Sequence, residues 1–148
     1  VLDGDNVRER LNNDLGFSPE DRGENIRRVA EVARLIADSG NIVISAFISP
    51  YKADRERARQ ISEGNFHEVH IEADIETCEQ RDPKGLYAKA RRGEIKQFTG
   101  VDAPYEAPEN ADLVIDTKKL SVEESIQILA TYVDEVFGCI SREHRDVA

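Results

Sequence analysis

The chain has 148 residues, of which 39% are apolar and 34% charged, and its formal net charge is −10. That is enough for one domain with a core, and the composition is globular rather than disordered. No window approaches the roughly 18 consecutive apolar residues of a membrane span, and the acidic balance argues against a nucleic-acid coat while leaving room for a small anion held by local arginines. Cys78 and Cys139 are too few for a disulfide framework and read as reduced thiols. With no signal or transit peptide in view, the expected location is the cytoplasm. Methionine is absent, and Val1-Leu2 reads as the end of a strand already under way. The expectation is therefore a chain that begins inside a domain.

After that strand comes Asp3-Gly4-Asp5, a polar segment at a strand end. Ser18-Pro19-Glu20-Asp21 marks a helix start, with Ser18 as cap, Pro19 at the first helical position and Asp21 three residues after the cap. Ile26, Val29, Ala33 and Ile36, flanked by Ala30 and Ala37, form the helical stripe, and Gly40 is the stop. Ile42 to Phe47 is apolar on both faces, the pattern of a central parallel strand, and Ser49-Pro50 breaks it. A charged helix is predicted from Ala53 to about Glu63, a strand at Val69-His70-Ile71, and a short helix from Ile75 to Arg81. A basic segment then runs to Thr99, and Leu113-Val114-Ile115 is a third short apolar strand. Ser121 and Glu124 form a capping box for the last helix, whose face is predicted to be Ile126, Leu129, Ala130, Val133 and Phe137, ending at Gly138. The domain expected is thus 1–138, with a polar tail over 139–148.

Strands alternating with helices imply a parallel sheet with helices on both faces. Ligands in such sheets bind beyond the carboxyl ends of the strands. Asp3-Gly4-Asp5, Ser49-Pro50-Tyr51 and Ala73-Asp74 all fall there. A carboxylate at Asp3 or Asp5 can take a proton from a hydroxyl or orient Mg²⁺ through water; the plainer alternative is a polar turn with Asp5 capping the next helix. Arg22 and Asn25 share a face in the first helical turn, where anions are favoured. Equally, the segment can be a solvated face on which Glu24 pairs with Arg28. Phe17, just before the cap, is either a hydrophobic staple or a stacking platform for a base.

Between Arg81 and Lys96 six basic residues (Arg81, Lys84, Lys89, Arg91, Arg92, Lys96) face two acidic ones, Asp82 and Glu94. Pro83, Gly85, Gly93 and Gly100 supply hinges, so this segment reads either as a phosphate-contacting lid or as an ordinary charged helix. Phe98 at its end can pack or stack. Ser49 has no histidine near it in sequence to make a hydrolase pair. His67 and His70 point to opposite faces of a strand, so no metal ligation is expected of them.

Together these strings resemble the adenylylsulfate (APS) kinase family. They are Leu2-Asp3-Gly4-Asp5-Asn6-Val7-Arg8, Asp14-Leu15-Gly16-Phe17-Ser18, Asp21-Arg22 with Glu24-Asn25-Ile26-Arg27-Arg28, Phe47-Ile48-Ser49-Pro50-Tyr51, Arg81-Asp82-Pro83-Lys84-Gly85-Leu86-Tyr87, and Gly93-Glu94-Ile95-Lys96 with Phe98-Thr99-Gly100. The resemblance runs in order from Val1 to about Gly138. It implies a three-layer, P-loop kinase-like α/β fold with a basic lid. The implied reaction moves the γ-phosphoryl of ATP to the 3′-hydroxyl of APS, with Mg²⁺, to make PAPS in sulfate assimilation.

The resemblance assigns residues as follows. Asp3, Asp5, Asn6 and Arg8 contact APS, with Asp5 orienting or deprotonating the 3′-hydroxyl. Phe17 and Phe98 sandwich the adenine, while Arg22 and Asn25 hold the phosphosulfate. Ile48 and Ser49 line the site, and Ser49 falls at the family's proposed phosphoserine position. Lys84 closes over both nucleotides, and Arg81 and Arg91 join it on the ATP side. A homodimer, and fusion to or association with ATP sulfurylase, are the implied partnerships. The family's G-x-x-x-x-G-K-[ST] loop does not occur in these residues; it is expected about one βα unit upstream of Val1, so this stretch alone is not expected to turn over ATP. The competing reading is a non-catalytic APS/PAPS-binding regulatory domain of an ATP sulfurylase-type protein.

Overall fold

In the computed structural model the backbone is described for residues 1–143 and side chains for residues 1–138. In chain order the elements are β1 (Leu2–Asp3), α1 (Gly4–Glu9), α2 (Pro19–Asp38), β2 (Ser45–Ala46), α3 (Lys52–Ile61), β3 (Val69–Glu72), α4 (Ile75–Arg81), α5 (Leu86–Arg91), β4 (Leu113–Asp116) and α6 (Val122–Glu143). They fall into two units, one formed by Val1–Phe66 with Asp82–Glu109 and the other by His67–Arg81 with the chain from Asn110 on.

In the first unit β1 and β2 pair in parallel, Leu2 against Ser45 and Asp3 against Ala46. The helix that follows forms for the reasons its sequence states. Ser18 Oγ accepts from Asp21 N at 3.1 Å, Pro19 takes the first helical position, and Gly40 beyond the end adopts φ 85°. Asp21 does not close the box onto Ser18; its Oδ2 accepts from Gly16 N at 3.0 Å, tying the entering chain to the helix. Ile26 and Ala30 of α2 meet Ala58 of α3, and Phe47, Ile61 and Phe66 pack around them. Burial of a side chain such as Ile26 stabilises by roughly 1.5–3 kcal/mol.

The strand predicted over Ile42–Phe47 is shorter and more exposed than its composition implies. Only Ser45 and Ala46 pair, and Ile42 and Ile44 are 55% and 47% exposed. Apolarity marks a strand as able to be buried; its partners decide whether it is.

In the second unit β3 and β4 pair in parallel from Val69 against Leu113 to Glu72 against Asp116, and Ile115 is 1% exposed. The helix after β4 opens with the complete box: Ser121 N donates to Glu124 Oε2 at 2.8 Å and Glu124 N to Ser121 Oγ at 3.2 Å. Two expectations for α6 change. It runs through Gly138 to Glu143, because glycine in mid-helix costs only about 1 kcal/mol and does not by itself stop one. Its covered face is also only partly the expected one: Leu129, Val133 and Phe137 are half-buried, and Phe137, with Tyr132 beside it, makes an edge contact with His67, whereas Ile126 is 61% exposed and Ala130 is exposed. Residues 144–148 of the expected tail, and the Cys139 side chain, lie outside the described residues. Cys78 is a free thiol.

Candidate anion and nucleotide site

The first unit holds most of the residues singled out above. Chain leaving β1 turns directly into α1, and Asp3 caps it, its Oδ1 accepting from Asp5 N at 3.0 Å. The cap is therefore Asp3 and not Asp5. Asp5 is left in the first turn with its carboxylate outward, where it takes a charge-assisted hydrogen bond from Lys84 Nζ. The hydrogen bond and charge of Asp5 raise the Lys84 ammonium above its ordinary pKa. The carboxylate proposed for the chemistry and the lysine of the basic segment are thus brought together. Asn6 lies exposed beside them on α1.

Arg8, at the end of α1, reaches the loop before α2. Its Nη1 donates to the carbonyls of Leu15 (3.2 Å) and Gly16 (2.8 Å), and its guanidinium lies 4.4 Å from the centroid of the Phe17 ring. Phe17 is 59% exposed and Arg22 also faces its ring, at 5.7 Å. A hydrophobic staple would bury this ring against the first turn of α2. Instead a solvent-facing aromatic surface is framed by two cations, which suits stacking.

Arg22 is a knot between segments far apart in sequence. Its Nε donates to Phe17 O (2.9 Å), Nη1 to Thr99 Oγ1 (3.2 Å) and Nη2 to Gln97 O (2.7 Å). Asn25, one turn on, is 3% exposed, and its Oδ1 accepts from Asn12 Nδ2 at 3.0 Å. The plainer reading of this helix face is also realised for its remaining charges. Glu24 binds Arg27 at 2.7 Å and Arg28 at 2.9 Å, and Arg28 binds Asp14 at 2.8 Å. Those hydrogen bonds, from Arg27 first and then Arg28, pull the Glu24 carboxyl down to about 2.

After β2 the chain carries exposed Ile48 into Ser49, a non-glycine residue at φ 41°. Arg55 of α3 holds that turn, donating to Ser49 O at 2.8 Å and to Glu106 O at 2.7 Å.

The basic segment is ordered around short turns. Asp82 accepts from the backbone N–H of Tyr87 and Ala88, both at 3.1 Å, and so caps α5 across Gly85, which sits at φ 66°. At the far end Asp102 accepts from the N–H groups of Gln97 (2.8 Å) and Phe98 (2.6 Å), fixing the turn that carries Phe98. Phe98 packs edge-on against Tyr87 with centroids 4.9 Å apart. Arg91 is exposed in the last turn of α5.

Arg81 belongs to the second unit, where Nη1 and Nη2 engage the hydroxyl and carbonyl of Thr117 just after β4. Asp74, after β3, caps α4 through Thr77 N at 2.9 Å and pairs with Lys118 at 3.3 Å. Its carboxyl is pulled down to about 2, chiefly by the hydrogen bonds from Thr77. His67 Nδ1 lies 2.7 Å from Tyr132 Oη.

Asn12, Arg55 and Thr99 were missed as partners of site residues. Asn12-Asn13 looks like any polar turn, and Arg55 is one of several arginines on α3. No local pattern marks either; the signal is long-range.

Parallel strand pairs alternating with helices define an α/β protein, whose first unit carries Asp5 after β1 and the exposed Phe17 ring with Arg8 and Arg22 beside it. An adenylylsulphate kinase family model matches residues 1–116. An adenylyl-sulfate kinase of Bacillus pumilus is 61% identical over 91% of this chain and 69% of its own length. That of Staphylococcus haemolyticus is 60% identical over 89% of this chain and 67% of its own. The Mycobacterium tuberculosis APS kinase, solved in complex with AMPPNP and APS, shares 46% identity and a TM-score of 0.79, covering 87% of this chain and 76% of that one. The chain belongs to the adenylylsulfate kinase family, and spans about two thirds of the length of these curated relatives. This favours the kinase over the non-catalytic regulatory reading.

Proposed function

We propose that the protein transfers the γ-phosphoryl group of ATP to the 3′-hydroxyl of APS, giving PAPS, and that the first unit carries the APS site. The observation that supports this assignment of the site is the cluster in which Asp5 meets Lys84 while Arg8 and Arg22 frame the exposed Phe17 ring. Phosphoryl transfer asks a protein mainly for positioning and charge neutralisation, and these are the groups that supply it. Phe17 and Phe98 stack on the purine. Arg8, Arg22 and Asn25 take the phosphosulfate, and Asn6, Ile48 and Ser49 line the sugar side. Asp5, beside the cap made by Asp3, orients the 3′-hydroxyl and accepts its proton, while Lys84 moves from Asp5 to the transferring phosphoryl. Arg91, exposed on α5 of the same unit, serves ATP.

Mg²⁺ enters as the counterion of ATP. Among the described residues no group of three acidic, histidine or cysteine side chains is placed to hold a metal, and Mg²⁺ commonly rides on phosphates with one or two carboxylates. The same reading makes the working form a cytoplasmic homodimer, with ATP sulfurylase as the protein it is fused to or associates with. Among the described residues no helix is long and apolar enough to cross a membrane.

The test is transfer of label from [γ-³²P]ATP, with Mg²⁺, by the protein in its natural sequence context. Label appearing at the 3′ position only when APS is present is the expected result. Tight APS binding with no labelled PAPS under any condition would instead establish the regulatory module.

A further inference from the structure

Asn12 has no part in the functional reading above, yet it is the most deeply enclosed polar side chain among the described residues, at 0% exposure. It sits in the link between α1 and α2. Its backbone N–H donates to Val7 O at 3.0 Å, and its carbonyl accepts from Leu15 N at 3.1 Å, so its place is fixed from both sides. Its Nδ2 donates to Asn25 Oδ1 at 3.0 Å, while its own Oδ1 is buried without a partner. Enclosing an unpaired amide oxygen costs about 1–3 kcal/mol, a cost that apolar side chains at both 12 and 25 would avoid. Stability alone does not account for an asparagine here.

The consequence for Asn25 does. A carboxamide has a donor end and an acceptor end, which exchange places when the group turns over. An anion accepts hydrogen bonds only, so Nδ2 attracts it and Oδ1 repels it. By donating to Asn25 Oδ1, Asn12 occupies the acceptor end and leaves Nδ2 for the ligand. We propose that Asn12 is a positioning residue that holds the donor end of Asn25 ready for the phosphosulfate of APS. The proposal rests on the reading of Asn25 as a phosphosulfate contact given above.

The test is a double-mutant cycle on the enzyme in its natural sequence context, reading KM for APS, KM for ATP, kcat and Tm. Asn25→Leu is expected to raise KM for APS on the order of tenfold, the worth of one hydrogen bond to a charged group. Asn12→Leu, and Asn12→Ser whose hydroxyl is too short to reach Asn25, are expected to raise it severalfold while leaving KM for ATP unchanged. The double variant N12L/N25L is expected to be no worse than N25L, because Asn12 acts only through Asn25. If N12L does not fold, N12S carries the cycle. An unchanged KM for APS in both Asn12 variants, with N25L impaired, overturns the proposal. So do effects that multiply in the double variant. If N25L itself leaves KM for APS unchanged, the assignment of Asn25 fails and takes the proposal with it.

Discussion

Removing the Arg22 side chain tests two separate things, because the structure gives that guanidinium a structural duty and the functional reading gives it an ionic one. Its three hydrogen bonds, to Phe17 O, Thr99 Oγ1 and Gln97 O, join the start of α2 to the turn that carries Phe98. Hydrogen bonds from a charged donor contribute about 1.5–3 kcal/mol each when buried, and less when water can replace them. Two of these three are exposed, so Arg22→Ala is expected to cost about 2–3 kcal/mol in all. In a chain of this size each kcal/mol moves Tm by about 2–4 °C, which puts the fall at about 5–10 °C. Arg22→Lys keeps the charge but cannot serve three acceptors spread around a planar fork. It should lose nearly as much Tm as Arg22→Ala while retaining more APS affinity. Differential scanning calorimetry gives the first quantity and titration with APS the second. A Tm for Arg22→Ala within about 1 °C of wild type would show that the knot does not hold these segments together. Equal APS affinity in the Ala and Lys variants would show that the charge is not used.

Three further outcomes are expected. Asp5→Asn should lower kcat far more than it weakens APS binding, since it removes the proton acceptor and keeps the shape; an unaltered kcat in steady-state PAPS formation removes Asp5 from the chemistry. Phe98→Ala should weaken APS binding by about 1–3 kcal/mol, the usual worth of one base–aromatic stack, and titration showing undiminished affinity would confine Phe98 to packing on Tyr87. The Glu24 carboxyl is pulled from 4.5 to about 2 in the folded state by Arg27 and Arg28. A depressed folded pKa gives stability that is present above the unfolded value and disappears as pH falls from about 4.5 through about 2. Glu24→Gln should therefore flatten the acid limb of Tm against pH in that window, and a limb of unchanged slope would contradict the pairing.

Local chemistry made parts of this molecule legible before any coordinates. The start of α2 could be read because Ser18, Pro19 and the stripe through Ile26 and Val29 all say the same thing within a dozen residues. The Ser121–Glu124 box could be read for the same reason. What escaped depends on partners distant in sequence. The six-residue helices α1 and α5 were legible only as alternatives without bounds, because they are too short for a 3.6-residue period to declare itself. On α6 the stripe placed Leu129, Val133 and Phe137 correctly but not Tyr132, whose cover comes from His67, a residue the sequence of the helix carries no record of. Within the site, the resemblance supplied Phe17, Arg22 and Phe98 as separate contacts. That Arg22 reaches from the Phe17 carbonyl to the turn beside Phe98 was not legible, since residues 22 and 97 lie 75 positions apart.

A chain with ten excess negative charges can still hold a doubly anionic ligand, because the distances decide the matter. At physiological ionic strength exposed charges farther away than about 8 Å are largely screened, so a bound anion responds to its immediate neighbours and hardly to the net charge. Around Phe17 those neighbours are Arg8 and Arg22, both within cation–π range of one ring. Burial, and next the positive charge of Arg22, hold the Arg8 guanidinium below its ordinary pKa, with Asp21 only partly offsetting them. Two like charges brought together repel, and an anion placed between them converts that repulsion into attraction on both sides. Asp21 supplies part of that attraction while its Oδ2 also accepts from Gly16 N. On the proposed reading the phosphosulfate of APS adds to it, and APS binding at this ring is expected to weaken with added salt as a purely stacked purine would not.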